Sequence, residues 1–154
     1  MATNPTHEQG ELQLKIFDLR REPRLRQARD WFTKNYFANT MEEAMRVAPM
    51  GSEAGTFFMM VVSYWEQACS YLNHGLLHEE LFFENNGEFF WVYERVKPTL
   101  EEGRRMFMSP LFLSNLENAG IRYEAWIEKR APGHVAAIRQ MMKQMASQAS
   151  KAAA

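Results

Sequence analysis

The sequence predicts an all-α protein: an irregular bundle of seven to nine helices around a central apolar helix. Three observations carry this. Apolar residues recur at helical spacing through most of the chain, no Val/Ile/Thr-rich alternation of strand period appears, and Gly, Pro and Ser/Thr fall where helices start and stop. At 154 residues and 46% hydrophobic, the chain has the size and composition of one folded domain. Its expected division is a loose N-terminus over 1–10, a helical domain over 11–145 and a frayed Ala/Ser/Lys tail over 146–154.

Leu12, Ile16 and Leu19 give the first helical stripe, which Pro23 interrupts; Leu12, Leu14 and Ile16 would also suit a strand, but the Arg/Glu-rich context favours helix. Leu25, Ala28, Phe32 and Tyr36 form the second. Thr40 and Glu43 are spaced as a capping box, and Met41, Ala44, Met45 and Ala48 then share one face of a short helix. Pro49, Gly51 and Gly55 mark a turn, with Ser52 as N-cap of the next helix.

That helix, about 53–74, is the predicted centre. Phe57, Phe58, Val61, Val62, Trp65, Cys69 and Leu72 make it apolar nearly all round. Ser63, Glu66, Gln67, Ser70 and His74 confine its polar surface to one narrow stripe, and Gly75 suits the left-handed residue after its end.

Beyond it, a short helix is expected near His78–Glu84 and a longer one through Phe89, Val92, Tyr93, Val96 and Leu100, kinked at Pro98. Ser109-Pro110 reads as a helix start and Gly120 as that helix's end. Tyr123, Trp126 and Ile127 belong to the next helix, and Pro132 opens the last, with Val135, Ile138, Met142 and Met145 on one face.

Several features resemble a known family. They are Tyr64-Trp65-Glu66, then Gly75-Leu76-Leu77-His78-Glu79-Glu80-Leu81, then Trp91, Val96-Lys97-Pro98 and Arg104-Arg105. Over about residues 12–127 the chain resembles a bacterial family of all-helical domains of unknown function. The resemblance implies an all-α fold and brings no reaction, substrate or catalytic residue.

Glu66 is the residue with most chemical interest, because a carboxylate on a largely buried helix must be paired, hydrogen-bonded or protonated. As a functional group it is a candidate general base or metal ligand; as a structural one it would pair with Arg104 or Arg105. With these two arginines, Trp65 and Trp91 complete the candidate binding residues.

His74 and His78 stand at metal-ligand spacing beside Glu79 and Glu80. Gly75 between them breaks the helix that would align them, and neither the His-Glu-x-x-His order nor paired Glu-x-x-His motifs are present. His78-Glu79-Glu80 also reads as the acidic first turn of a helix. No metal or other cofactor is therefore expected.

The formal net charge of −1 argues against nucleic-acid wrapping, and Asp18, Glu22 and Asp30 dilute the cluster of Arg20, Arg21, Arg24, Arg26 and Arg29. One cysteine, Cys69, excludes a disulfide framework and fits a reducing, cytoplasmic setting. The polar stretch Met1–Gly10 has no signal-peptide core, and the apolar run Phe57–Tyr64 falls far short of the about 20 residues needed to span a bilayer.

After Glu128 the chain has no acidic residue. Lys129, Arg130, Arg139, Lys143 and Lys151 then make the last helix basic and amphipathic, suited to its own bundle, another subunit or a membrane surface. Phosphate-binding loops and nucleophile-elbow motifs are missing. The sequence points first to a non-catalytic interaction or regulatory module that self-associates. A small-molecule or lipid-binding helical domain is the second reading, and an enzyme or metal protein using Glu66 with His74 or His78 is the third.

Overall fold

The computed structural model describes residues 4–153 and is all-helical. Its elements are α1 (His7–Leu19), α2 (Pro23–Asn35), α3 (Met41–Val47), α4 (Glu53–Asn73), α5 (Glu79–Asn85), α6 (Glu88–Met106), α7 (Ser114–Arg130) and α8 (His134–Ala153). Apolar α4 is central and packs against α2, α6 and α7. α6 also meets α3 and α7, and α8 lies on α2 and α7. Among the described residues, no helix is long and apolar enough to cross a membrane.

The starts of the helices follow from local chemistry. Thr6 accepts from the Gln9 N–H and Gln9 returns the bond, forming a capping box for α1. Glu22 accepts from the N–H groups of Arg24 and Leu25, with Pro23 at the first helical position of α2. Ser52 caps α4 through the Gly55 N–H at 2.9 Å. Thr40 caps α3 through the Glu43 N–H, but the Glu43 carboxylate binds the Asn39 N–H at 2.8 Å, so the expected box closes one residue earlier on that side. Gly75 ends α4 at φ +74°, as expected.

Four boundaries differ from the sequence reading. The N-terminus, expected loose over 1–10, is helical from His7; residues 1–3 lie outside the described residues. Ser109-Pro110 does not start a helix. Residues 107–113 form turns with Met108 and Leu113 in the left-handed region, and α7 begins at Ser114. Gly120 does not end a helix but sits inside α7, where a Cβ would stand 2.4 Å from the Tyr93 ring. The glycine is there for the close approach of α6, not for a turn. The tail expected to fray from 146 continues α8 to Ala153, helped by alanine's high helix propensity; Ala154 lies outside the described residues.

An aromatic cluster closes the bundle around α5, α6 and α7. Phe83 meets Tyr123 edge-on at 5.3 Å and stacks on Phe89 at 5.9 Å, and Tyr123 stacks on Trp126 at 5.6 Å. Such pairs add about 0.5–1.5 kcal/mol each beyond the area they bury. The last helix docks on its own bundle through buried Val135 and Ile138. Arg139 on its basic face is held by Glu94 at 2.7 Å and Glu124 at 2.9 Å.

Candidate functional site

The structure scatters the residues singled out in the sequence. Trp65 is fully buried, its indole N–H 3.3 Å from Oε1 of Glu88. Glu66, half-buried, does not pair with an arginine. Its Oε1 accepts from the backbone N–H and side-chain amide of Asn115 at 3.1 and 2.9 Å, and its Oε2 from the Leu116 N–H at 2.8 Å. Those N–H groups open α7, whose own N-cap, Leu113, has no side chain able to accept them. A carboxylate there also suits the positive end of the helix. Glu66 is thus a remote helix cap, a role invisible at 49 residues' separation.

Arg104 instead holds the 107–113 segment: its Nε donates to the Phe112 carbonyl at 2.9 Å and its Nη1 pairs with Glu117 at 2.8 Å. Arg105 is exposed, 3.9 Å from Glu101 one turn away. Half-buried Trp91 lies beside a groove between α2 and α6 together with Phe32, Thr33 and Arg95. His74 is exposed at the end of α4, its Nδ1 2.9 Å from the Ser70 carbonyl. His78 caps α5, accepting from the Leu81 N–H at Nδ1. The turn at Gly75 puts the two histidines to different uses, and among the described residues no three His, Cys, Asp or Glu side chains gather to hold a metal. Burial, reinforced by Glu66, pushes the Cys69 thiol well above its ordinary value, so it is not an activated nucleophile.

Arg95 is a feature the sequence reading passed over. It is buried, and its Nη1 donates to the carbonyls of Phe32, Thr33 and Tyr36 at 2.9, 2.9 and 3.3 Å. These carbonyls end α2, where a cation is favoured. Burial pulls its pKa down to about 10, still far above neutrality, so it remains charged.

Among the described residues, a concave site with consistent chemistry is a cavity of about 470 Å³ bounded by α3, α4, α6 and the 107–113 segment. From α3 come Met41, Ala44 and Met45, with Ala48 at its C-cap; from α4, Gly55, Thr56, Phe58 and Met59. The far wall is Val96, Thr99, Leu100 and Gly103 of α6, and Phe107, Phe112 and Leu113 close one side. Small residues leave the space: Ala44, Ala48, Gly55 and Gly103 present little or no side chain to it. Gly55 is required by its neighbour as well, since a Cβ there would stand 2.2 Å from the Pro49 carbonyl oxygen.

The lining contains no charged residue. Its aromatic wall includes Tyr36, fully buried and packed 4.8 Å from the Phe58 ring. Burial raises the Tyr36 pKa, opposed by a hydrogen bond with Thr99, so the phenol stays neutral. Thr99 donates to the Val96 carbonyl at 3.0 Å, and Thr56 to the Ser52 carbonyl at 3.1 Å. The polar atoms of the wall are thus largely satisfied within the protein. At the mouth, Met50 is 78% exposed, and Met108 and Leu111 in the closing segment are 86% and 77% exposed. The α3 stripe was visible in sequence, but only the packing of α6 across it makes a cavity.

A family described as Domain of unknown function (DUF4760) matches residues 5–123, a span that contains every residue lining the cavity. Among curated proteins and solved structures, nothing matches the chain.

Proposed function

The chain belongs to this family of unknown function, and we propose that it is a binding module that takes an apolar small molecule or lipid chain in the cavity between α3, α4 and α6. The observation that carries this reading is a hollow of about 470 Å³ lined mostly by apolar side chains, with four hydroxyls and no charge. Ligand sites range over about 300–1,000 Å³ and are mostly apolar with few polar groups. Water in such a hollow finds few of the two to four polar partners it needs, so an apolar molecule displaces it favourably. Flexible Met41, Met45, Met50 and Met59 let the wall adapt to its occupant. Catalysis is not part of the proposal, because Glu66 is engaged in capping α7 and the histidines stand apart.

The test is binding of the neutral fluorophore N-phenyl-1-naphthylamine, which brightens in apolar surroundings. The protein should bind it saturably, one per chain, and Ala48→Phe, which fills the hollow, should weaken binding by about tenfold or more with an unchanged helical spectrum. Equal binding by the variant, or none by either, would remove the reading.

Self-association is a second reading, favoured by α1, which leaves Leu14 65% and Phe17 49% exposed on its outer side. Sedimentation equilibrium of the wild type and Leu14→Glu tests it: a monomer at all concentrations excludes it.

A further inference from the structure

We propose that the cavity selects an uncharged apolar molecule, such as a long-chain alcohol, over the corresponding carboxylate. This rests on the reading of the cavity as a ligand site and adds the class of head group.

Fatty-acid sites need a cation or several free donors for the carboxylate, since burying an unpaired charge is far costlier than burying a hydroxyl. Here the polar side chains of the wall are the hydroxyls of Tyr36, Thr56, Thr99 and Ser109. The Thr56 and Thr99 protons are committed to the Ser52 and Val96 carbonyls, which leaves the neutral hydroxyls of Tyr36 and Ser109. Thr56 and Thr99 retain acceptor capacity alone, which suits a ligand that donates a proton, and the lining holds no cation to meet a carboxylate.

The surroundings have the same sign. Three arginines near the cavity are taken by carboxylates, Arg46 by Glu42 at 2.9 Å, Arg105 by Glu101 at 3.9 Å and Arg104 by Glu117 at 2.8 Å, while Arg95 of α6 is turned to the carbonyls that end α2. Glu43 and Glu102 accept only backbone N–H groups, from Asn39 and Met41, and among the described residues neither joins an ion pair. The α3–α6 side of the cavity therefore carries excess negative charge, which disfavours an anionic head group at the mouth as well as inside.

The experiment is displacement of bound N-phenyl-1-naphthylamine at pH 8 by decan-1-ol and by decanoate, which share one chain length and differ in the head. Decan-1-ol should displace the probe at a concentration about tenfold or more below that of decanoate, and Ala48→Phe should lose both probe and alcohol. Decanoate competing as well as or better than the alcohol overturns the selectivity while leaving the cavity as the site. Failure of the wild type to bind the probe or either competitor removes the cavity reading itself.

Discussion

Glu66 on α4 accepts the Leu116 N–H at 2.8 Å and thereby caps a helix that begins almost fifty residues further along the chain. α7 starts after Leu113, whose left-handed backbone turns the chain but offers no side-chain acceptor. Glu66→Ala should lower unfolding stability by about 1–3 kcal/mol, because the half-buried N–H groups of Asn115 and Leu116 lose their acceptor. Glu66→Gln should cost less, since its amide oxygen still accepts. Urea unfolding checks both, and equal losses would mean that the negative charge, not the acceptor, is what α7 requires.

Gly120 lies under the Tyr93 ring, with room for no side chain. In an exposed helix interior Gly→Ala would stabilise by about 0.8–1.0 kcal/mol. Gly120→Ala should instead destabilise by about 1–3 kcal/mol through overpacking. A melting temperature at or above wild type would show that α6 and α7 pack less closely.

Arg95 supplies hydrogen bonds to three carbonyls at the end of α2. Arg95→Leu should cost at least about 2 kcal/mol, because carbonyls left without a donor in the interior carry a desolvation penalty of about 1–3 kcal/mol each. Arg95→Lys should recover little, lacking the planar fork. Denaturant unfolding of the pair checks this; full rescue by lysine would mean that charge alone is needed.

Glu94 provides a pH test. Desolvation raises its pKa, but hydrogen bonds from Arg139, with Lys97 assisting, outweigh it and leave the value below the ordinary 4.5. A carboxylate whose folded pKa is depressed contributes stability above the unfolded value, and that stability is lost as pH falls through the folded one. Glu94→Gln should therefore destabilise at pH 7, and its deficit against wild type should shrink as pH falls below 4.5. A deficit constant with pH would show that the ion pair with Arg139 does not contribute.

Local signals in the sequence were enough for the fold class and most boundaries. Ser52, Thr40 and Gly75 announce helix ends within a few residues of themselves, and the narrow polar stripe of α4 declares its central place. The errors fall where a distant residue supplies what the local chain lacks. Ser109-Pro110 has the composition of a helix start, but Arg104 ties the segment down and Glu66 caps the chain five residues later. Gly120 reads as punctuation because Tyr93 is twenty-seven positions away and only packing brings its ring there. The same limit applies to the site. Met41, Ala44, Met45 and Ala48 are legible as one face of α3, but the hollow arises because Thr99, Leu100 and Gly103 of α6 meet that face without filling it.

The most direct test of the binding reading uses the protein's own methionines as reporters. Met41, Met45, Met50 and Met59 line the cavity, whereas Met141 and Met142 lie on α8. With methyl-13C methionine and decan-1-ol as titrant, the shifts should be confined to the cavity group and the adjoining Met106 and Met108, and should saturate together. Absence of shifts at Met41 and Met45, or equal movement of Met141 and Met142, would contradict an apolar ligand site between α3, α4 and α6.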